Sequence, residues 1–195
     1  MKSLNGCLGV VGIAGYGDIG KVYYNILNEF GLHPSVADPI SKEEEFLRDY
    51  RDLRNCNTII IALPTEMHKE AINFFIKDEK NLLVEKPFCL TYKESKEAFE
   101  NIRKSKLNVM CGLTGLYHPE FKAMYEHITD IGKIKRVKEK LHEASPELNK
   151  YLQNQRGVLT INGIHTLHRF YKIAQMINSD SELQVEEIAL SNNSF

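Results

Sequence analysis

Residues 7–13, CLGVVGI, form a short apolar run that leads directly into AGYGDIG at 14–20. From Asp18 the pattern changes period. Ile19, Val22, Tyr23, Ile26, Leu27 and Phe30 recur at helical spacing, and Gly31 supplies the stop. Gly15, Gly17 and Gly20 therefore give G-x-G-x-x-G between a strand and an amphipathic helix. Few features constrain a chain more. The glycines allow a tight turn and a close backbone approach, and the helix then presents unpaired N–H groups and the positive end of its dipole. A diphosphate fits that combination, and a strand that feeds it belongs inside a parallel sheet. Gly15, Gly17, Asp18, Ile19 and Gly20 are the expected contacts.

The next strand, PSVAD (34–38), ends on Asp38, 23 residues after Gly15. An acid there is placed for the adenosine ribose hydroxyls of NAD. No arginine directly follows it to meet a 2′-phosphate, although Lys42 is nearby, so NAD is expected rather than NADP.

The alternation of strand and helix continues for about 115 residues. TIIIAL (58–63), NLLVE (81–85) and LNVMCGL (107–113) read as buried strands. TEMHKEAINFFIKDEK (65–80) reads as a helix with Thr65 as N-cap. TYKESKEAFENIRKS (91–105) opens on Thr91-x-x-Glu94, a capping box. The expected fold class is α/β, a Rossmann-type parallel sheet over residues 1–117. An incomplete α+β second domain is expected over 118–195. It holds a short helix at 119–130, strands at 134–144 and 183–190, and a helix from Ile164 to Ile177. If both strands share one sheet, an open edge would favour self-association.

Bulk properties narrow the function. A net charge of −1 offers no pull toward nucleic acid or an anionic membrane, and no apolar run approaches a membrane span. The glycine-punctuated CLGVVGIAG lacks the basic flank of a signal peptide. Cys7, Cys56, Cys89 and Cys111 are scattered, which suits free thiols in a reducing cytoplasm. His127, His142 and His168 do not group with carboxylates at ligand spacing, so no metal is expected.

Two further stretches, IALPTEMHK (60–68) and LLVEKPF (82–88), join the glycine loop in a pattern that resembles the Gfo/Idh/MocA oxidoreductases, the glucose–fructose oxidoreductase and inositol dehydrogenase family. The resemblance covers about residues 8–175. It rests on Leu63-Pro64 with His68 after the third strand, on Glu85-Lys86-Pro87 after the fourth, and on Gly163-Ile164-His165. It implies a dinucleotide site that includes Leu63, Pro64, His68, Glu85 and Lys86. Lys86 and His165 would be the catalytic pair, the lysine holding a substrate oxygen and the imidazole exchanging the hydroxyl proton. Tyr117, His118, Asn162 and His165 would face a sugar or polyol. The chain departs from the family at Ile161, where an aspartate would orient the imidazole, and at Leu116, where many relatives carry arginine.

Independently of family, Lys86 directly follows the apolar LLV and so stands at the carboxyl end of a core strand, where ligands of open parallel sheets bind. The expected activity is NAD(H)-dependent oxidation or reduction at a secondary hydroxyl of a sugar, polyol or nucleotide-sugar, in a homo-oligomer. A non-catalytic NAD(H)-binding module and an NAD-dependent glycosidase are the alternatives.

Overall fold

A computed structural model of the chain describes residues 8–128, 130, 132, 137–138 and 163–177. Backbone packing divides it into two compact units, Met1–Gly112 and Leu113–Phe195.

The first unit is built on five parallel strands: β1 (Val11–Ala14), β2 (Ser35–Ala37), β3 (Thr58–Ile61), β4 (Asn81–Val84) and β5 (Val109–Cys111). Their order is β2-β1-β3-β4-β5. Helices α1 (Asp18–Glu29), α2 (Thr65–Lys77) and α3 (Tyr92–Lys104) connect them. Strand side chains alternate in direction, so the β-branched runs supply two cores at once. Ile13 and Ile60, paired in register, join Leu27 of α1 on one face. Ile59, Ile61, Leu82 and Val84 join Ala71, Ile72 and Phe75 of α2 and Ala98 of α3 on the other. Phe75 is fully buried, which contributes about 2–3 kcal/mol.

Beyond β2 the sheet is extended by one residue. Leu47 forms an isolated parallel bridge with Ala37, its N–H donating to Val36 and its carbonyl accepting from Asp38, both at 2.9 Å. This bridge occupies the place of a further strand outside β2. The chain therefore leaves β1 toward one side for β2 and Leu47, and toward the other for β3 and β4. The reversal at β1 is the topological switch point at which open α/β sheets bind ligands. The segment before β3 holds a short 3₁₀ helix, Tyr50–Asn55, started by Asp49, whose carboxylate accepts from the Arg51 N–H.

Local end signals behave as their chemistry requires, with one correction. Gly31 closes α1 with φ at +71°, a left-handed conformation suited to glycine. The capping box at the start of α3 is complete, Thr91 accepting from Glu94 N and the Glu94 carboxylate from Thr91 N. Thr65, expected as the cap of α2, is instead its first helical residue. Pro64 stands at the cap position in extended conformation, so the helix starts one residue before a side-chain cap could form.

In the second unit the turn Thr114–Leu116 precedes α4 (Pro119–His127) and α5 (Ile164–Ile177). The observed α4 is shorter than the expected helix to 130. Phe121, Ile128 and Ile173 form its buried cluster. Of the strand expected at 134–144 only residues 137–138 are described, and they carry no strand; the rest of it, the strand expected at 183–190 and the edge they would form lie outside the described residues.

Candidate functional site

In the first unit the carboxyl ends of the strands collect most of the residues singled out in the sequence. Gly15 follows β1 with φ at +97°, a conformation that disfavours a side chain. Its N–H donates to the Ala37 carbonyl at 2.9 Å, and a Cβ there would stand 2.6 Å from the Ala62 carbonyl oxygen. The loop is thus wedged between the ends of β2 and β3. Gly20 lies against the Gly15 carbonyl so closely that no methyl fits. Gly17 differs: a Cβ there meets nothing within 4 Å. It is also the N-cap residue of α1, where no side chain caps the first turn. Among the described residues no side chain accepts from the N–H groups beginning at Asp18 and Ile19, and the space in front of Gly17 is open. Such a cradle fits a diphosphate.

Asp38 stands at the end of β2 and is tied into the same loop. Its Oδ2 accepts from the Tyr16 N–H at 2.7 Å, while Oδ1 accepts from Ile40 and Ser41 N–H groups at 2.8 Å each. Burial pushes its carboxyl pKa up, but these three N–H donors and the charge of Arg48 outweigh that, and the net shift is downward. A carboxylate has about four lone-pair sites, so Oδ2 retains one for a ribose hydroxyl among the described residues. Gly15, Gly17, Asp38, Leu63, Pro64 and Met67 line one cleft of about 480 Å³, within the range of cofactor pockets. Arg48 lines it too, its guanidinium anchored on the carbonyls of Ser41 and Glu43. That arginine lies ten positions after Asp38, beyond the stretch in which the sequence pattern looks for a phosphate partner.

Leu63 and Pro64 follow β3, and Glu85, Lys86 and Pro87 follow β4. The Lys86–Pro87 peptide bond is cis. His68, on α2, is buried, with Nδ1 3.0 Å from the Pro87 carbonyl oxygen and Nε2 2.8 Å from that of Leu63. Both ring nitrogens face backbone carbonyl oxygens, so the ring sits between the two loops and, as a neutral imidazole, donates to one of them. Glu85 is buried, at 8% exposure. It accepts from the Tyr23 hydroxyl at 2.6 Å through Oε1 and from the Lys86 N–H at 3.1 Å through Oε2. Tyr23 had counted only as part of an apolar helix face. Nothing local marks its hydroxyl, because its partner is 62 residues away.

In the second unit, Tyr117 is exposed and His118 precedes α4. His165 lies on α5. A Cβ on Gly115 would stand 2.6 Å from Arg169 Nη1 and 3.4 Å from His165 Nδ1, so this turn packs directly on that stretch of helix. His118, Phe121, Met124, Arg169 and Ile173 line a cavity of about 350 Å³. Burial, then the charge of Lys172, pushes the neighbouring His168 down. Ile161 and Asn162 lie outside the described residues.

The profile of a family described as "Oxidoreductase family, NAD-binding Rossmann fold" matches residues 10–113. An uncharacterized oxidoreductase of Bacillus subtilis, YrbE, is 26% identical over 95% of this chain and 59% of its own length. The scyllo-inositol 2-dehydrogenase (NADP(+)) IolU of the same organism is 30% identical over 41% of this chain and 24% of its own. Among solved structures, scyllo-inositol dehydrogenase from Lactobacillus casei with bound NAD(H) and scyllo-inositol aligns at a TM-score of 0.69 and 16% identity. That alignment covers 87% of this chain and 56% of the other. The chain thus spans little more than half the length of the relatives it matches along most of its own.

Proposed function

Because the chain belongs to the Gfo/Idh/MocA family of NAD-binding Rossmann oxidoreductases, we propose that it interconverts a secondary alcohol and a ketone on a cyclic polyol or sugar, with NAD(H) as cofactor. The observation that carries this is the juxtaposition at the carboxyl ends of one sheet's strands, beside its switch point. An open glycine cradle, an N–H-bound aspartate and the Glu85-Lys86-Pro87 turn follow β1, β2 and β4 in the same unit. The similarity to IolU supports an inositol-like substrate.

In this reading the first-turn N–H groups of α1 hold the diphosphate and Asp38 holds the adenosine ribose. A ribose 2′-phosphate would approach that carboxylate, and like charges repel. Arg48 in the same cleft is the group that favours the opposite choice. The nicotinamide, when bound, supplies the hydride chemistry. Lys86 donates to the substrate oxygen and stabilises negative charge on it. His165 exchanges the hydroxyl proton, and Tyr117, His118 and Asn162 contact the substrate. His68 acts through the loop backbone it packs between. Ile161, where the resembled family has an aspartate, favours a second reading in which the protein binds NAD(H) without turnover.

Calorimetry on the purified chain tests the cofactor assignment. NADH binds more tightly than NADPH, and Asp38→Ala weakens it. Equal or tighter binding of NADPH overturns the role of Asp38.

A further inference from the structure

The helix after the phosphate loop and the backbone of the proposed catalytic lysine belong to different parts of the chain, yet two hydrogen bonds through Glu85 connect them. Tyr23 stands on α1, about 8 Å along the axis from its first residue at 1.5 Å per residue. Its hydroxyl donates to Glu85 Oε1 at 2.6 Å, and Glu85 Oε2 accepts the Lys86 N–H at 3.1 Å. The carboxylate cannot move away from this arrangement easily. Gly112, at the end of β5, leaves so little room that a Cβ there would stand 2.6 Å from Oε1. Three elements, α1, β4 and the end of β5, thus enclose one carboxyl group. The Tyr23 hydroxyl is pushed well above its ordinary range, chiefly by burial and then by the bond to Glu85, so it stays protonated and remains a donor. Burial and next the Glu85 carboxylate also push the Cys111 thiol up to about 11.

Building on the catalytic reading of Lys86, we propose that Tyr23 is a positioning residue that sets the place of that lysine through Glu85. The same helix presents its N-terminus to the dinucleotide, so the lysine is referenced to the element that holds the cofactor. Tyr23 and Gly112, which both pack on Glu85, then act on the reaction through that carboxyl group.

The test uses the full chain and the variants Tyr23→Phe and Gly112→Ala. NADH affinity is read by fluorescence, and kcat and KM by polyol oxidation. The Lys86 side chain is read by ¹³C NMR after reductive methylation, its signal assigned by its loss in Lys86→Arg. In both variants kcat falls about 10- to 100-fold, the effect of displacing a reacting group by about an ångström, while NADH affinity, which rests chiefly on the glycine loop and Asp38, changes by much less. The Lys86 signal shifts in both. A purely structural role would lower the melting temperature and leave that signal in place. Wild-type kcat with an unmoved Lys86 signal in Tyr23→Phe overturns the inference. If the wild-type chain oxidises no polyol, the catalytic reading has failed separately. The Lys86 signal then decides: a shift upholds the positioning role and an unmoved signal refutes it.

Discussion

Gly17 and Gly20 lie in one motif but respond to opposite physics, so replacing each with alanine separates cofactor recognition from packing. Alanine is favoured over glycine within a helix by about 1 kcal/mol. Propensity alone therefore predicts that Gly20→Ala stabilises α1. The Gly20 Cβ, however, would overlap the Gly15 carbonyl oxygen. That carbonyl cannot retreat, because Gly15 is bonded to Ala37 and packed on Ala62. Overpacking costs typically about 1–3 kcal/mol, and backbone held on two sides belongs at the upper end. The net loss is then about 2 kcal/mol, a fall in melting temperature of roughly 8 °C for a unit of this size. NADH affinity falls with it, by about tenfold or more, since 1.4 kcal/mol of lost phosphate contact suffices. Gly17 has φ at −71° and open space before its Cβ. Gly17→Ala keeps stability within about 0.5 kcal/mol, yet its methyl occupies the diphosphate's place and weakens NADH by a similar factor. Thermal melts and calorimetry on both variants decide. A stabilised Gly20→Ala, or a Gly17→Ala that binds NADH like wild type, refutes the reasoning.

Two other consequences concern titration and reactivity. The Asp38 carboxyl pKa is lower in the folded protein, so its contribution to stability is present above its unfolded pKa and is lost as pH falls through the folded value. Asp38→Asn accordingly flattens the acid limb of the stability curve below the ordinary carboxylate range, measured by urea melts; parallel curves for the two proteins contradict this. Cys56 and Cys89 are buried, and Cys111 is pushed up to about 11 by burial first and the Glu85 carboxylate second. Alkylation mapped by mass spectrometry at about pH 8 leaves all three unmodified until denaturant is added. Rapid native labelling of Cys111 would contradict its burial in the sheet beside Glu85.

Local chemistry was legible in the sequence and long-range pairing was not. The Thr91–Glu94 box and the Gly31 stop each depend on atoms a few residues apart, and both form as read. The glycine loop, the five strands and the helices between them follow from period and turn signals that the sheet has no reason to override. Thr65 failed as a cap because Pro64 had already set the backbone for the helix start. The Leu47 bridge is one residue long and carries no periodicity. Arg48 reaches the cleft through the loop after Asp38, which no spacing rule encodes. Tyr23 reads as one more aromatic on an amphipathic helix until the fold brings Glu85 to its hydroxyl. His68 was expected beside the cofactor. Its two backbone carbonyl neighbours belong to different loops, and only the sheet brings those together.

The central claim, that Lys86 acts on a secondary alcohol beside a dinucleotide held by the glycine loop, is tested most directly by NADH formation from NAD with a panel of inositols and sugars, in wild type and Lys86→Met. The account predicts turnover of at least one cyclic polyol by wild type and its abolition in Lys86→Met, with NADH affinity preserved. Turnover that survives Lys86→Met unchanged would contradict it.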